Sequence, residues 1–286
     1  MDTLLLLIST IILRPYVFVL LSMYLVAGGL QFGRRRIVIF TISAYLIAFA
    51  SEYTSTRIGI PYGMYIYTGI TQGKELYLSN VPFMDSLSYA FLAYFSYSLA
   101  ILVTSQLCRN GNGYDVQVVR DKRHWRSGGV LVLGAIFMVL QDVVVDPVAL
   151  RGSAWFLGQI YYYPDAGIYF GVPLSNYFGW LVVALAIIYA FQRIDGLVEG
   201  WPGFRDEGLR YVPGKALLGT FCYFATMLFN LLITFYIGEY LLGLVSLTIA
   251  GTLLYIVRAS ILAARFVDQA ELERVATSPA PKEIPA

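Results

Sequence analysis

Gly128-Gly129-Val130-Leu131-Val132-Leu133-Gly134-Ala135-Ile136-Phe137-Met138-Val139-Leu140-Gln141-Asp142-Val143-Val144-Val145-Asp146-Pro147-Val148-Ala149-Leu150 decides how this chain folds. Such a run is long enough to cross the apolar core of a bilayer as a helix, which takes about 20 residues. It nevertheless carries two carboxylates. A charge in hydrocarbon costs about 3 kcal/mol or more, so acids in such a segment face a bundle interior and have a task there. Asp142 and Asp146 are four residues apart and project from one face of the helix.

The pattern repeats along the chain. Of its 286 residues 58% are hydrophobic and 13% charged, with a mean hydropathy of +0.67. The chain reads as an all-α, polytopic transmembrane helical bundle in the cell membrane. Seven spans are expected at roughly 14–33, 36–56, 81–106, 128–150, 176–193, 215–237 and 240–262. Residues 3–13 either extend the first span backward through a kink at Pro15 or form a separate interfacial element. They end in Arg14-Pro15 without a small-residue cleavage site, so they do not read as a cleaved signal peptide. Residues 1–263 read as one transmembrane domain. Residues 264–286, charged and then Pro-rich, read as a disordered cytoplasmic tail.

Loop charge sets the expected orientation. Arg34, Arg35, Arg36, Arg109, Arg120, Lys122, Arg123, Arg126, Arg193, Arg205, Arg210, Lys215, Arg265, Arg274 and Lys282 fall on one side. Arg14, Arg57, Lys74 and Arg151 fall on the other. The N-terminus is therefore expected outside and the C-terminus in the cytoplasm. The outer loops, 57–80 and 151–175, are rich in Gly, Pro and Tyr. Interfacial aromatic belts do not need that much Gly and Pro, so these loops are expected to form a lid over the outer mouth.

On this topology Glu52, Asp85, Asp142 and Asp146 share one leaflet. At 1.5 Å per residue, Asp146 lies about 6 Å and Asp142 about 12 Å from the outer end of their span. Asn176 opens the fifth span on the same side, and Asn230 lies in the outer part of the sixth. The bland alternative is that the acids cap helix ends or pair with Arg57 and Arg151. It fits Glu52 and Asp85 better than the deeper Asp142. Two carboxyls held close in low dielectric resist ionising together, which leaves a protonated acid beside a carboxylate, a general acid–base pair.

Several function classes are excluded. The net charge of +2 implies no nucleic-acid partner. A single histidine, His124, rules out a His-rich di-iron centre, and no metal is expected. There is no glycine-rich phosphate loop. The spans contain no interior lysine, so there is no Schiff-base retinal site. Cys108 and Cys222 have no ligand spacing and read as gap-filling residues. Tyrosines such as Tyr89, Tyr94 and Tyr97 can line a groove for a long conjugated ligand, and aromatic faces stabilise a carbocation.

Two blocks of residues carry a resemblance. The first is Ser51-Glu52, Gly59, Pro61-Tyr62-Gly63, Tyr65 and Tyr67. The second is Asp142, Asp146-Pro147, Trp155, Tyr169-Phe170-Gly171-Val172-Pro173, Asn176, Gly179 and Trp180. The chain resembles the integral-membrane carotenoid-biosynthesis proteins that include the γ-carotene 1′-hydratase and the bisanhydrobacterioruberin (C50) hydratase. The resemblance covers roughly residues 50–260. It implies addition of water, without a cofactor, to the terminal double bond of an acyclic carotenoid. The implied partners are that carotenoid, the bilayer and other enzymes of carotenoid biosynthesis. The resemblance assigns no catalytic roles; from their position in the spans, Asp142, Asp146, Glu52 and Asp85 are the expected catalytic set. Tyr62, Tyr65, Tyr67, Trp155, Tyr169, Asn176, Trp180 and Asn230 are the expected substrate contacts. The alternatives are a proton-coupled carrier of a lipid or small solute, and a carotenoid-binding protein without catalysis. Carriers usually show internal repeats and broken midplane helices; this sequence has no convincing repeat, and its acids cluster toward one leaflet.

Overall fold

The structure, a computed structural model, describes residues 3–110, 115–202, 204 and 211–277. Seven helices among the described residues are long and apolar enough to cross a membrane, which makes this a multi-pass membrane protein. Helix α1 (Thr3–Leu13) is separate from α2 (Pro15–Phe32). Pro15 at the first position of α2 supplies no N–H to continue the ladder, and Arg14 is left at the junction in a non-helical conformation. Residues 3–13 are thus an eighth, shorter helix and not a kinked extension of the first span.

After α3 (Arg34–Ile58) come strand β1 (Ile66–Tyr67) and the hairpin of β2 (Tyr77–Leu78) with β3 (Val81–Pro82). Helix α4 (Phe83–Thr104) leads to β4 (Leu107–Arg109), β5 (Val116–Val118), the short α5 (Lys122–Trp125) and α6 (Gly128–Ala149). Strand β6 (Tyr161–Tyr162), α7 (Leu174–Val198), α8 (Lys215–Tyr236), α9 (Tyr240–Leu262), β7 (Arg265–Phe266) and α10 (Gln269–Thr277) complete the order.

Helix α4 is the centre of the bundle. In its most apolar window 78% of residues are buried, against 28–44% in the other spans. Ala90, Ala93, Ser96 and Ala100 recur along it, and small residues let neighbouring backbones approach where lipid gives no hydrophobic drive. Gly134 of α6 meets that need from the other side. A Cβ there would stand 3.5 Å from the Tyr97 Cα and 2.9 Å from Cδ1 of Ile188 on α7.

Helix α7 runs five residues past the expected end at Arg193. Beyond it, Asp195 accepts from Arg36 Nε at 2.5 Å and from Arg126 Nη2 at 2.5 Å, so the polar turn is held by ion pairs. The stretch after Ala263, expected as a disordered tail, is structured through Thr277. Strand β7 pairs in parallel with β4, and Leu272 and Ala276 of α10 are buried. Residues 278–286 lie outside the described residues.

The expected lid is built. Strands β1 and β6 pair antiparallel, Ile66 with Tyr162 and Tyr67 with Tyr161, and so clasp the 57–80 and 151–175 loops together. Helix α7 rests directly on this layer. A Cβ at Gly179 would lie 2.6 Å from Tyr62 Cδ1 and 2.8 Å from the Pro61 carbonyl oxygen. The end of α3, the start of α4, the end of α6 and the start of α7 converge beneath the lid.

Candidate active site

These four helix ends enclose a cavity of about 160 Å³. Glu52, Asp85, Asp142 and Asp146 all line it, as do Tyr62, Tyr65, Tyr67, Asn176 and Trp180. The carboxyls fall into two groups. On one wall Asn176 Nδ2 donates to Asp142 Oδ2 at 2.7 Å and to Asp146 Oδ2 at 3.1 Å. Tyr163 donates to Asp146 Oδ2 at 3.1 Å, and Tyr161 donates to Oδ1. Asp146 thus accepts from three donors. Asp142 has one, and among the described residues no donor reaches its Oδ1.

On the other wall Glu52 accepts from the Tyr67 hydroxyl at 3.0 Å and from Ser86. Asp85 lies 3.7 Å from Arg14 Nη2. Arg14 is itself gripped by Glu75, at 2.9 Å through Nε and 2.8 Å through Nη2, with both side chains almost fully buried. Its Nη1 donates to Tyr16 at 3.1 Å. Tyr65 joins the two walls, with ring centroids 5.4 Å from Tyr67 and 5.8 Å from Tyr161. Burial, then the Asp146 carboxylate, push the Tyr161 and Tyr163 phenols well above their ordinary range. Burial and Glu52 do the same to Tyr67. These phenols therefore stay protonated and remain donors.

None of these acids pairs with Arg57 or Arg151, although Asp85 sits in the first turn of α4 beside Arg14. Arg57 stacks on Tyr53, 3.4 Å from its centroid, and donates to the Tyr53 carbonyl. Arg151 pairs with Glu239 and donates to the Pro147 and Phe170 carbonyls. Among the described residues no three His, Cys, Asp or Glu side chains are grouped as metal ligands.

Three expected contacts lie off the cavity. Trp155 donates its indole N–H to the Val148 carbonyl and packs on Phe156. Tyr169 packs edge-on against Tyr177. Asn230 donates to the Thr226 carbonyl of its own helix. Conversely, Arg14 and Tyr16 line the site without having been expected there, as do Tyr89 of the expected groove stretch and Tyr161 and Tyr163 of the expected lid, none of them named as a substrate contact. A signal for two of them was present. In Tyr161-Tyr162-Tyr163 the period-2 alternation of a strand puts the first and third rings on one face. Tyr162 indeed faces out, 39% exposed.

One curated relative, the bisanhydrobacterioruberin hydratase of Haloarcula japonica, is 29% identical over 202 residues, 69% of this chain. The chain spans 57% of that protein's length. No solved structure matches the chain. A family profile described as "Carotenoid biosynthesis protein" matches residues 2–249, and the chain belongs to that family.

Proposed function

We propose that this protein is a carotenoid hydratase that adds water across the terminal C1′=C2′ double bond of an acyclic carotenoid to give a tertiary alcohol. The observation that carries the reading is the buried Asp142–Asn176–Asp146 bridge facing a cavity walled by tyrosines. The name of the Haloarcula japonica relative supports the same chemistry.

Hydration of a trisubstituted alkene needs an acid, shelter for a tertiary cation, and a base. Asp142, with one donor and a free oxygen, is the acid. Its proton goes to C2′, and the alkene electron pair forms the new C–H bond. The cation left at C1′ meets the negative faces of Tyr65, Tyr161 and neighbouring rings. Asp146 accepts from Tyr161, Tyr163 and Asn176, which fix its carboxyl against the cavity. It orients the water, whose oxygen bonds to C1′, and takes the released proton. Glu52, across the cavity, is the second candidate for that base. Asp85 holds the network through Arg14. Return of the proton from Asp146 to Asp142, one turn away, resets the site. The sum is alkene plus water, with no net change of oxidation state, so the reaction needs no redox cofactor, and with Asp142 as the proton donor the proposed step uses no metal.

Purified protein incubated with acyclic carotenoids should yield a product heavier by one water. Its hydroxyl oxygen should carry the label of isotopically labelled water. Label from molecular oxygen, or no mass gain with any acyclic carotenoid, would sink the reading.

The loop charges support an orientation with the N-terminus outside, the C-terminus in the cytoplasm and the lid on the outer face. Reporter fusions in the 109–126 and 199–215 loops should read cytoplasmic. A periplasmic signal at either reverses the orientation.

A further inference from the structure

A second cavity lies at the other end of the bundle. Asp85, Ser88 and Tyr89, near the start of α4, line the carboxylate cavity, whereas Val103 and Ser105, at its end, line this one. Its volume is about 540 Å³. Small-molecule sites typically enclose about 300–1,000 Å³. Two spans stop here, α4 at Thr104 and α9 at Leu262, so the cavity sits where the bundle leaves the bilayer. The parallel pairing of β4 with β7 sets Cys108 beside Arg265, and both line it.

The lining is mixed. Val103, Leu107 and Val119 contribute apolar surface, and Ser105, Ser260 and Arg265 contribute polar groups. The Ser105 hydroxyl is buried and has no hydrogen-bond partner among the described residues. Leaving such a group unpaired is costly, so it calls for a partner from outside the chain. Arg265 donates through Nη2 to Glu271, and a guanidinium has five N–H donors to give. The helix ends act in the opposite sense. The last carbonyls of α4 and α9 have no helical donors and make both ends negative. A bare phosphate would meet Arg265 but also those carbonyls. A phosphate that carries its own hydroxyls satisfies both. On the bilayer side, Ile256 lies one turn before Ser260 on the same face of α9 and is 39% exposed. Helix α9 is the least buried of the spans.

We propose that this cavity binds the headgroup of a phospholipid whose phosphate carries a glycerol, with the acyl chains lying along the exposed face of α9. The phosphate accepts from Arg265, and the glycerol hydroxyls donate to the helix-end carbonyls and pair with Ser105. The bound lipid ties the ends of α4 and α9 to the β4–β7 sheet at the membrane boundary. The site shares no residue with the carboxylate cavity and stands independently of the hydratase reading.

The test titrates purified protein in detergent with phosphatidylglycerol and with phosphatidylcholine of the same chains, read by native mass spectrometry. Phosphatidylcholine keeps the phosphate, but its trimethylammonium has no N–H or O–H to donate. Phosphatidylglycerol should bind about tenfold tighter. Arg265→Gln should weaken its binding about tenfold, because a hydrogen bond to a charged group is lost. Ser105→Ala should weaken it about threefold. The thermal midpoint of the lipid-free protein should stay in place in Ser105→Ala, because that hydroxyl has no partner among the described residues. Equal affinity for the two lipids, or phosphatidylglycerol binding unchanged in both variants, overturns the site and leaves only unselective lipid around the bundle. Glycerol phosphate without acyl chains should fail to displace the lipid at equal concentration. Displacement there would assign the cavity to a soluble phosphate and overturn the lipid. If Arg265→Gln does not fold, Ser105→Ala and Ala263→Trp, which fills the cavity, carry the same readings.

Discussion

Asp142→Asn abolishes turnover and leaves carotenoid binding in place. The substitution keeps the size of the side chain and a carbonyl for Asn176 to donate to, so the cavity keeps its shape. What it removes is a proton acidic enough to add to carbon. Loss of a general acid is worth about 10²–10⁴-fold in rate. Nothing nearby replaces it directly, because Asp146 is already committed to Tyr161, Tyr163 and Asn176. The contrast is Asp85→Asn, which should be milder, since Asp85 acts through Arg14 at 3.7 Å. Single-turnover rates and carotenoid binding measured on the same preparations decide the matter. Near wild-type rates in Asp142→Asn with a dead Glu52→Gln would move the acid to the opposite wall. Activity in both would make the carboxyl cluster structural.

Glu75→Ala destabilises the fold by about 3–5 kcal/mol, the range for stripping one partner from a buried ion pair. Glu75 holds Arg14 through two hydrogen bonds, and neither side chain is more than 3% exposed. Asp85 is then the remaining carboxylate near Arg14, at 3.7 Å, and cannot take over both contacts without leaving its wall. The loop bearing Glu75 is also tied to α1, where Thr10 accepts from the Leu76 amide at 3.1 Å. Thermal unfolding in detergent measures the effect. An unaltered midpoint would show that the pair contributes nothing.

The spans and the acid cluster were legible because both are local signals. Twenty apolar residues, and a carboxylate among them, stand out without any knowledge of neighbours. The convergence of Glu52, Asp85, Asp142 and Asp146 followed from alternating span direction alone. What stayed hidden depends on contacts between segments far apart in the chain. The pairing of Arg14 with Glu75 joins residues 61 positions apart. The clasp of Tyr67 with Tyr161 joins two loops through two-residue strands, and no local pattern names the partner of either. Trp155, Tyr169 and Asn230, expected as substrate contacts, lie off the cavity lining. Trp155 and Asn230 donate to carbonyls close in the chain, whereas the buried Tyr169 hydroxyl, beside the Tyr177 ring, has no hydrogen-bond partner among the described residues. The extra turn of α7 was missed because Asp195 reads as a span end until Arg36 and Arg126 are seen to meet it.

The fixed positions of Asp142 and Asn176 have a stereochemical consequence. On the proposed hydratase reading, an acid fixed on one wall of the cavity gives its proton to a single face of the terminal alkene. C2′ becomes a methylene with two hydrogens of distinct origin. In heavy water the deuterium would therefore enter one prochiral position, and the product would have a single configuration at a carbon that ordinary analysis treats as achiral.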